Sequence, residues 1–295
     1  MEIVVASGKG GTGKTFISSN LAYYLHKHAS PIVSVDADAE APDLLIALGG
    51  SRKELFRYTV SESRKAKIDY TKCIKCGKCY EVCQFQAISL ENDGTPIVNE
   101  EYCEGCKACS IVCPVKCISF YTKTTGIIHG DISGTGVPVV TADLEVGGRN
   151  TGELVYLAKE EAHKIAFESK AEHIVIDAAA GIGCPVVSSL AGANILILVV
   201  EPTPPALNGA LRLLELAENF RVEKYLIINK YNLSPNYVEE IHRKLQVEAI
   251  GKIPYNVIVV ESYTNMKPIL IYKPNHEVTK ALISAFKYFV ECVLK

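Results

Sequence analysis

The stretch Gly8-Lys9-Gly10-Gly11-Thr12-Gly13-Lys14-Thr15 constrains this chain more than any other. It fits G-x4-G-K-[ST] and stands between an apolar, strand-like run at 2–7 and a segment at 16–27 whose apolar residues recur at helical spacing. Strand, glycine loop and helix in that order form a phosphate cradle. Glycines let the backbone curl until its N–H groups face the phosphates, and the helix start adds partial positive charge. Lys14 is expected to reach the β and γ phosphates and Thr15 to ligate Mg2+, with Gly8, Gly10, Gly11, Thr12 and Gly13 shaping the loop. The alternative is a glycine turn that binds nothing.

β-Branched runs at 31–36, 173–177, 194–200 and 224–229, with helical patterns at 205–219 and 235–246, predict an α/β fold built on a parallel sheet. The last pattern, 278–294, puts Leu282, Phe286, Phe289, Val290 and Val293 on one helical face, which reads as core packing rather than a membrane-docking surface. No stretch approaches the roughly 20 apolar residues of a membrane span. The opening residues show no basic-then-apolar signal pattern. Lys plus Arg number 31 against 33 Asp plus Glu, so there is no basic excess for nucleic acid. A cytoplasmic protein is expected, with no stable membrane insertion and no nucleic-acid partner.

Between 51 and 151 the alternation is interrupted. Of the 11 cysteines, eight form Cys73-x2-Cys76-x2-Cys79-x3-Cys83 and Cys103-x2-Cys106-x2-Cys109-x3-Cys113-Pro114, two copies of the bacterial ferredoxin run. In that run the fourth cysteine of each copy serves the other copy's cluster. One 4Fe-4S centre should use Cys73, Cys76, Cys79 and Cys113, the other Cys83, Cys103, Cys106 and Cys109. Zinc is disfavoured because this spacing crowds too many ligands onto one loop. Gln84 stands where the second copy has Pro114, a departure affecting the turn. Tyr70, Cys73 and Ala87-Ile88-Ser89 recur as Tyr102, Cys103 and Cys117-Ile118-Ser119. The domains read as 1–64 with 124–295, a parent α/β domain, and 65–123, a small α+β insert too short to fold without its clusters. A hairpin at 126–148 is expected to return the chain to the sheet. Cys117 and Cys292 read as core residues. Cys184 reads as structural, or as a redox-active thiol or transient ligand at a helix start.

Lys9, directly after the first glycine, resembles the signature lysine of the deviant Walker A group of P-loop ATPases, which includes MinD, ParA, Mrp and the nitrogenase iron protein. The resemblance implies a SIMIBI/MinD-like fold and ATP sandwiched in a homodimer, Lys9 acting in trans; an exposed loop lysine without a role is the alternative. Asp36-Ala37-Asp38 resembles switch I, which implies Asp38 for the attacking water and Asp36 for the water shell of Mg2+, while Asp43 reads as a helix cap. Asp177 resembles the Walker B acid and Gly181 the switch II glycine. The usual Asp-x-Pro-Pro-Gly is here Asp177-Ala178-Ala179-Ala180-Gly181, which bears on stiffness more than chemistry. In Asn229-Lys230-Tyr231-Asn232 the fourth position is an amide, which cannot accept from both guanine N1–H and N2–H, so adenine is favoured. Asn229 would contact the adenine edge, and Pro254 resembles a base-flanking loop residue or is a plain turn.

The whole chain resembles MinD-superfamily ATPases with an inserted ferredoxin domain, including a linker Arg149-Asn150-Thr151-Gly152-Glu153-Leu154 in which Glu153 replaces a common lysine. This implies ATP hydrolysis whose nucleotide state gates electron transfer from two 4Fe-4S clusters to an unidentified redox partner protein. The alternative is an Mrp-like assembly or carrier protein that hands clusters to an apo-iron-sulfur partner. A MinD-like role in membrane positioning would need a more cationic tail than 280–295 offers.

Overall fold

The computed structural model describes every residue except Gly147, Arg149, Asn150 and Lys295; these positions of the 126–148 hairpin, the 149–154 linker and the C-terminal tail lie outside the described residues. The chain forms two compact units. The first comprises Met1–Tyr58, Ile128–Asp143 and Gly152–Lys295, and the second Thr59–Ile127 and Leu144–Thr151.

In chain order the elements begin with β1 (Glu2–Ser7), α1 (Lys14–His28), β2 (Ile32–Ala37), α2 (Leu44–Ala47) and β3 (Ser51–Val60). Next come β4 (Ser63–Ile68), α3 (Lys78–Glu81), β5 (Ile88–Leu90), β6 (Pro96–Val98), α4 (Ala108–Ile111) and β7 (Ile118–Lys123). The chain continues through β8 (Gly126–Ser133), β9 (Pro138–Leu144), α5 (Thr151–Ser169), β10 (His173–Ala180), α6 (Cys184–Leu190), β11 (Ile195–Val200) and α7 (Pro204–Ala217). It ends with β12 (Glu223–Asn229), α8 (Pro235–Leu245), β13 (Glu248–Ile253), α9 (Ile258–Thr264), α10 (Ile269–Tyr272) and α11 (Glu277–Cys292).

A nine-stranded sheet has the order β13-β12-β11-β1-β10-β2-β9-β8-β3. The pairs from β13 through β9 are parallel, and β1, β2 and β11 are buried along their whole length, as helices on both faces of a parallel sheet require. Register decides where the chemistry goes. Val5 lies beside Asp177, and Asp177 beside Asp36, so β1, β10 and β2 end together at one carboxyl edge, the usual ligand edge of such sheets.

The α11 side chains Leu282, Phe286 and Phe289 are fully buried in the same core as Ile3, Ile17 and Val175, and Val290 and Val293 pack against it, as the helical face predicts. Cys292 corrects the sequence reading: it is exposed, because Val293 takes the inward position one turn after Phe289. Strand β3 also went unrecognised. Ser51–Val60 carries Arg, Lys and Glu and is exposed along most of its length, the charged edge that discourages strand addition. Among the described residues no helix is long and apolar enough to cross a membrane.

The second unit has two antiparallel pairs, β4 with β7 and β5 with β6. Its two repeats share one backbone course. Left-handed residues occur at matched places, Lys75 and Gly105, Gly77 and Lys107, Gln86 and Lys116, and α3 and α4 follow the second of these pairs. Lysine or glycine at the same site means the cysteine run, not side-chain freedom, imposes the turn. The core is Ala66, Ile68, Ala87, Ile88 and Ile118 together with the thiols of Cys79, Cys103, Cys109 and Cys117.

Helix α7 lies directly on the start of the phosphate loop. A Cβ on Gly209 would stand 2.5 Å from the Gly8 carbonyl oxygen, and one on Gly8 would stand 1.9 Å from the Gly209 carbonyl group. Overpacking at such a site costs about 1–3 kcal/mol. Gly209→Ala is therefore expected to lose that much in urea unfolding. A midpoint equal to wild type would show that the backbones do not meet this closely.

Candidate functional sites

The loop after β1 runs into α1 with Gly13 at its N-terminal boundary, at φ 94°. Behind the loop, Asn229 at the end of β12 donates its Nδ2 to the Thr12 carbonyl at 2.7 Å, while its Oδ1 accepts the Lys230 N–H at 3.0 Å. A Cβ on Gly13 would fall 2.3 Å from that Nδ2, so glycine is required twice over, for φ and for space. A cavity of about 570 Å3 opens in front of the loop, lined among others by Lys14, Thr15, Phe16, Asp38, Pro254 and Tyr263. Asn229 borders it too. Asn232 is committed elsewhere: its amide accepts the Tyr255 N–H at 2.6 Å and donates to the Tyr255 carbonyl at 3.1 Å, which holds the Pro254 loop.

The three carboxylates of this edge differ in what they hold. Asp36 is buried; Oδ1 accepts the Asp38 N–H at 3.2 Å and Oδ2 the Leu44 N–H at 2.8 Å. It caps α2, the role the sequence suggested for Asp43, which sits at the boundary but makes no capping bond. Asp36 reaches farther because it projects from a buried strand end toward the free N–H groups. Burial and then the neighbouring Asp177 push its carboxyl well above the ordinary range. Asp177 is fully buried, and neither oxygen has a hydrogen-bond partner. Burial raises it to about 6, against the pull of the Lys14 ammonium. The Thr15 and Ser18 hydroxyls favour its charged form from nearby without completing a hydrogen bond. Asp38, half-buried at the cavity, is raised by burial and lowered by Lys14. A buried carboxylate with open oxygens beside Lys14 fits a hydrated cation, and Thr12 Oγ1, also buried and unpartnered, adds a second open polar atom at the loop.

Two cations at the loop are already held. Lys9 Nζ pairs with Glu201 Oε1 at 3.0 Å and Lys230 Nζ with Glu201 Oε2 at 2.9 Å, while Lys230 also donates to the Gly11 carbonyl at 2.6 Å. Burial opposes ionisation of Glu201, but Lys230 and Lys9 outweigh it and hold the carboxyl below its ordinary value. Sequence reasoning missed Glu201, although an acid ending the apolar run 195–200 at the carboxyl edge of the sheet was a usable signal. The Gly181 N–H donates to the Ser7 carbonyl at 2.9 Å. With alanines in place of prolines, β10 continues to Ala180, opposite Ser7. Cys184 is exposed at the first residue of α6.

In the second unit the eight cysteines of the runs divide between two small cavities. One is lined by Cys73, Cys76, Cys79 and Cys113, with Cys117 beside them, and the other by Cys83, Cys103, Cys106 and Cys109. Among the described residues no group of three Cys, His, Asp or Glu side chains converges as a single ion needs; the run sulfurs are instead spread around the two small cavities, four to each. Backbone N–H groups point at them: Ala66 to Cys103 Sγ and Cys117 to Cys113 Sγ at 3.4 Å, Ala87 to Cys83 Sγ at 3.3 Å. Burial pushes the Cys117 thiol up to about 12. Burial opposes ionisation of Cys113 as well, but N–H groups and the Cys117 thiol outweigh it and leave Cys113 below an ordinary thiol.

Comparison with known proteins matches residues 3–269 to the CobQ/CobB/MinD/ParA nucleotide-binding domain. An uncharacterized protein of Methanocaldococcus jannaschii is 32% identical over 99% of this chain and 98% of its own. A ferredoxin of Pyrobaculum islandicum is 35% identical over 22% of this chain and 62% of its own. The septum site-determining protein MinD of Pyrococcus horikoshii, solved with Mg-ADP, shares the fold at TM-score 0.60 and 18% identity, covering 99% of this chain and 96% of that one.

Burial of Asp177 has a pH signature. Its folded value lies above its ordinary 3.8, so stability from this group is full in acid and is lost as pH rises from 3.8 through about 6. A shift of that size is worth on the order of 3 kcal/mol. In nucleotide-free protein, Asp177→Asn should exceed wild type by that order in urea unfolding at pH 8, the gap closing toward pH 4. Equal stabilities at pH 8 would show a solvated carboxylate.

Proposed function

Because this chain belongs to the CobQ/CobB/MinD/ParA nucleotide-binding family, we propose that it is an ATPase whose nucleotide state gates electron transfer from two 4Fe-4S clusters to a partner protein. The observation that carries the reading is one chain holding both a phosphate loop beside an open, buried carboxylate and two cavities each walled by four ferredoxin-run cysteines.

At the loop, Lys14 would neutralise charge on the β and γ phosphates, and Thr15 and the open carboxylate of Asp177 would be the residues to hold Mg2+. Mg2+ supplies charge neutralisation across the phosphates. Asp36, already bound through both oxygens to backbone, keeps switch I in place, and Asp38 orients the attacking water. Gly181 gives up the Ser7 carbonyl to donate its N–H to the γ phosphate. Only ATP offers that acceptor, so ATP and ADP differ in affinity for the two positions of switch II, as a ligand-driven change requires. Pro254 and Phe16 offer adenine apolar contact at the cavity, and Asn229 acts at the base edge while bracing the loop. Lys9 leaves Glu201 to reach the nucleotide of the partner subunit in a homodimer.

In the second unit, Cys73, Cys76, Cys79 and Cys113 hold one cluster and Cys83, Cys103, Cys106 and Cys109 the other. Such a cluster stores a single electron reversibly. The N–H groups of Ala66, Ala87 and Cys117 favour the added negative charge by bonding the ligand sulfurs. The chain enters this unit after switch I and leaves it before switch II, so both nucleotide-sensitive segments continue covalently into it. The carrier reading requires ligands that surrender a cluster, whereas each cavity here already has four ferredoxin-run cysteines at its wall.

Reduced, cluster-loaded protein mixed anaerobically with Mg-ATP, an oxidised one-electron dye and a cluster-free apo-ferredoxin should keep its iron while its electrons pass to the dye; transfer of iron to the apo-ferredoxin would establish the carrier instead. Lys14→Ala should abolish ATP hydrolysis, and unchanged turnover would remove the phosphate-loop assignment. Because four thiols are part of its small core, the second unit should become protease-sensitive on iron chelation while the first stays resistant. Full resistance of Thr59–Ile127 in iron-free protein would refute that dependence.

A further inference from the structure

We propose that Cys117 is a reserve ligand of the first cysteine cavity, able to replace Cys113 as the fourth thiolate there. This rests on the reading that the cysteine runs hold 4Fe-4S clusters. The argument comes from an asymmetry between the repeats. Ala87 and Cys117 occupy equivalent places, each donating its backbone N–H to the sulfur of the run's last cysteine, Ala87 to Cys83 and Cys117 to Cys113. Only the second repeat carries a thiol at that place. It is buried, its Sγ lies 3.5 Å from Cys113 Sγ, and it lines the same cavity as Cys73, Cys76 and Cys79. The first cavity therefore has five thiols and the second has four.

A Cys side chain moves its sulfur by roughly 3 Å between staggered rotamers, the same scale as the separation from Cys113. The exchange balances simply: the bond from Cys113 sulfur to iron is lost, the S–H bond of Cys117 breaks, its proton leaves to solvent, and its sulfur makes the bond to iron. No electron changes hands. Cys76 is the exposed thiol of this cavity, but of the two that would exchange, Cys113 is half-buried and Cys117 buried, so an oxidant or alkylating agent meets Cys113 before its reserve. A core role alone would need only the size of Cys117, and the first repeat meets that need with alanine.

The test compares single variants reconstituted anaerobically with iron and sulfide, reading iron and sulfide per chain. Cys113→Ala should hold the full wild-type content, Cys117→Ala likewise, and Cys113→Ala with Cys117→Ala about half. Cys83→Ala, with alanine at the equivalent place, should fall to about half. If wild type loads fully and Cys113→Ala falls to the level of Cys83→Ala, or does not fold, the reserve role is overturned while the cluster reading stands. If wild type takes up no iron, the cluster reading itself fails.

Discussion

The first unit is organised around two carboxylates, Asp36 and Asp177, held side by side and out of water at the ends of adjacent parallel strands. Like charges in a buried site are unfavourable, and the structure meets this unequally. Asp36 receives two backbone N–H groups and becomes part of the scaffold; Asp177 receives none and is left facing Lys14 and Thr15. That imbalance leaves Asp177 as the member of the pair with unengaged oxygens. The contact of α7 with Gly8 and the amide of Asn229 then hold the loop against the same edge.

The loop cations follow a similar logic. Glu201 binds Lys9 and Lys230 together, so the lysine after the first loop glycine is tethered from the end of β11. Gly181 is likewise satisfied by Ser7. Both groups are therefore already satisfied within the chain, one by an ion pair and the other by a backbone hydrogen bond.

The second unit reaches its fold by different means. Its buried set is short of large aliphatic residues, and thiols stand where a larger domain would place Leu or Phe. The repeated left-handed turns, carried by Lys as readily as by Gly, show the backbone shaped by where sulfurs must converge. So small a core has little else to bury.

The local grammar was legible in the chain itself. Loop spacing, cysteine spacing and the apolar strands are patterns within a few residues, and so the cradle, the two thiol runs, the α/β class and the buried face of α11 could all be read without coordinates. Strand β3 could not, because a charged edge strand carries no alternation, and neither could Glu201 or Gly209, whose meaning lies in what they touch from distant parts of the chain. Asp43 and Cys292 were misjudged for the same reason: position along a helix does not say which neighbour arrives first to cap it or to face the core. Sequence by itself determined which chemical groups are present and their spacing on one element. Tertiary structure alone decided which carboxylate stays open, which lysine is tethered and which cavity has a fifth thiol, because burial and hydrogen bonding depend on strand register and packing between segments far apart in the chain.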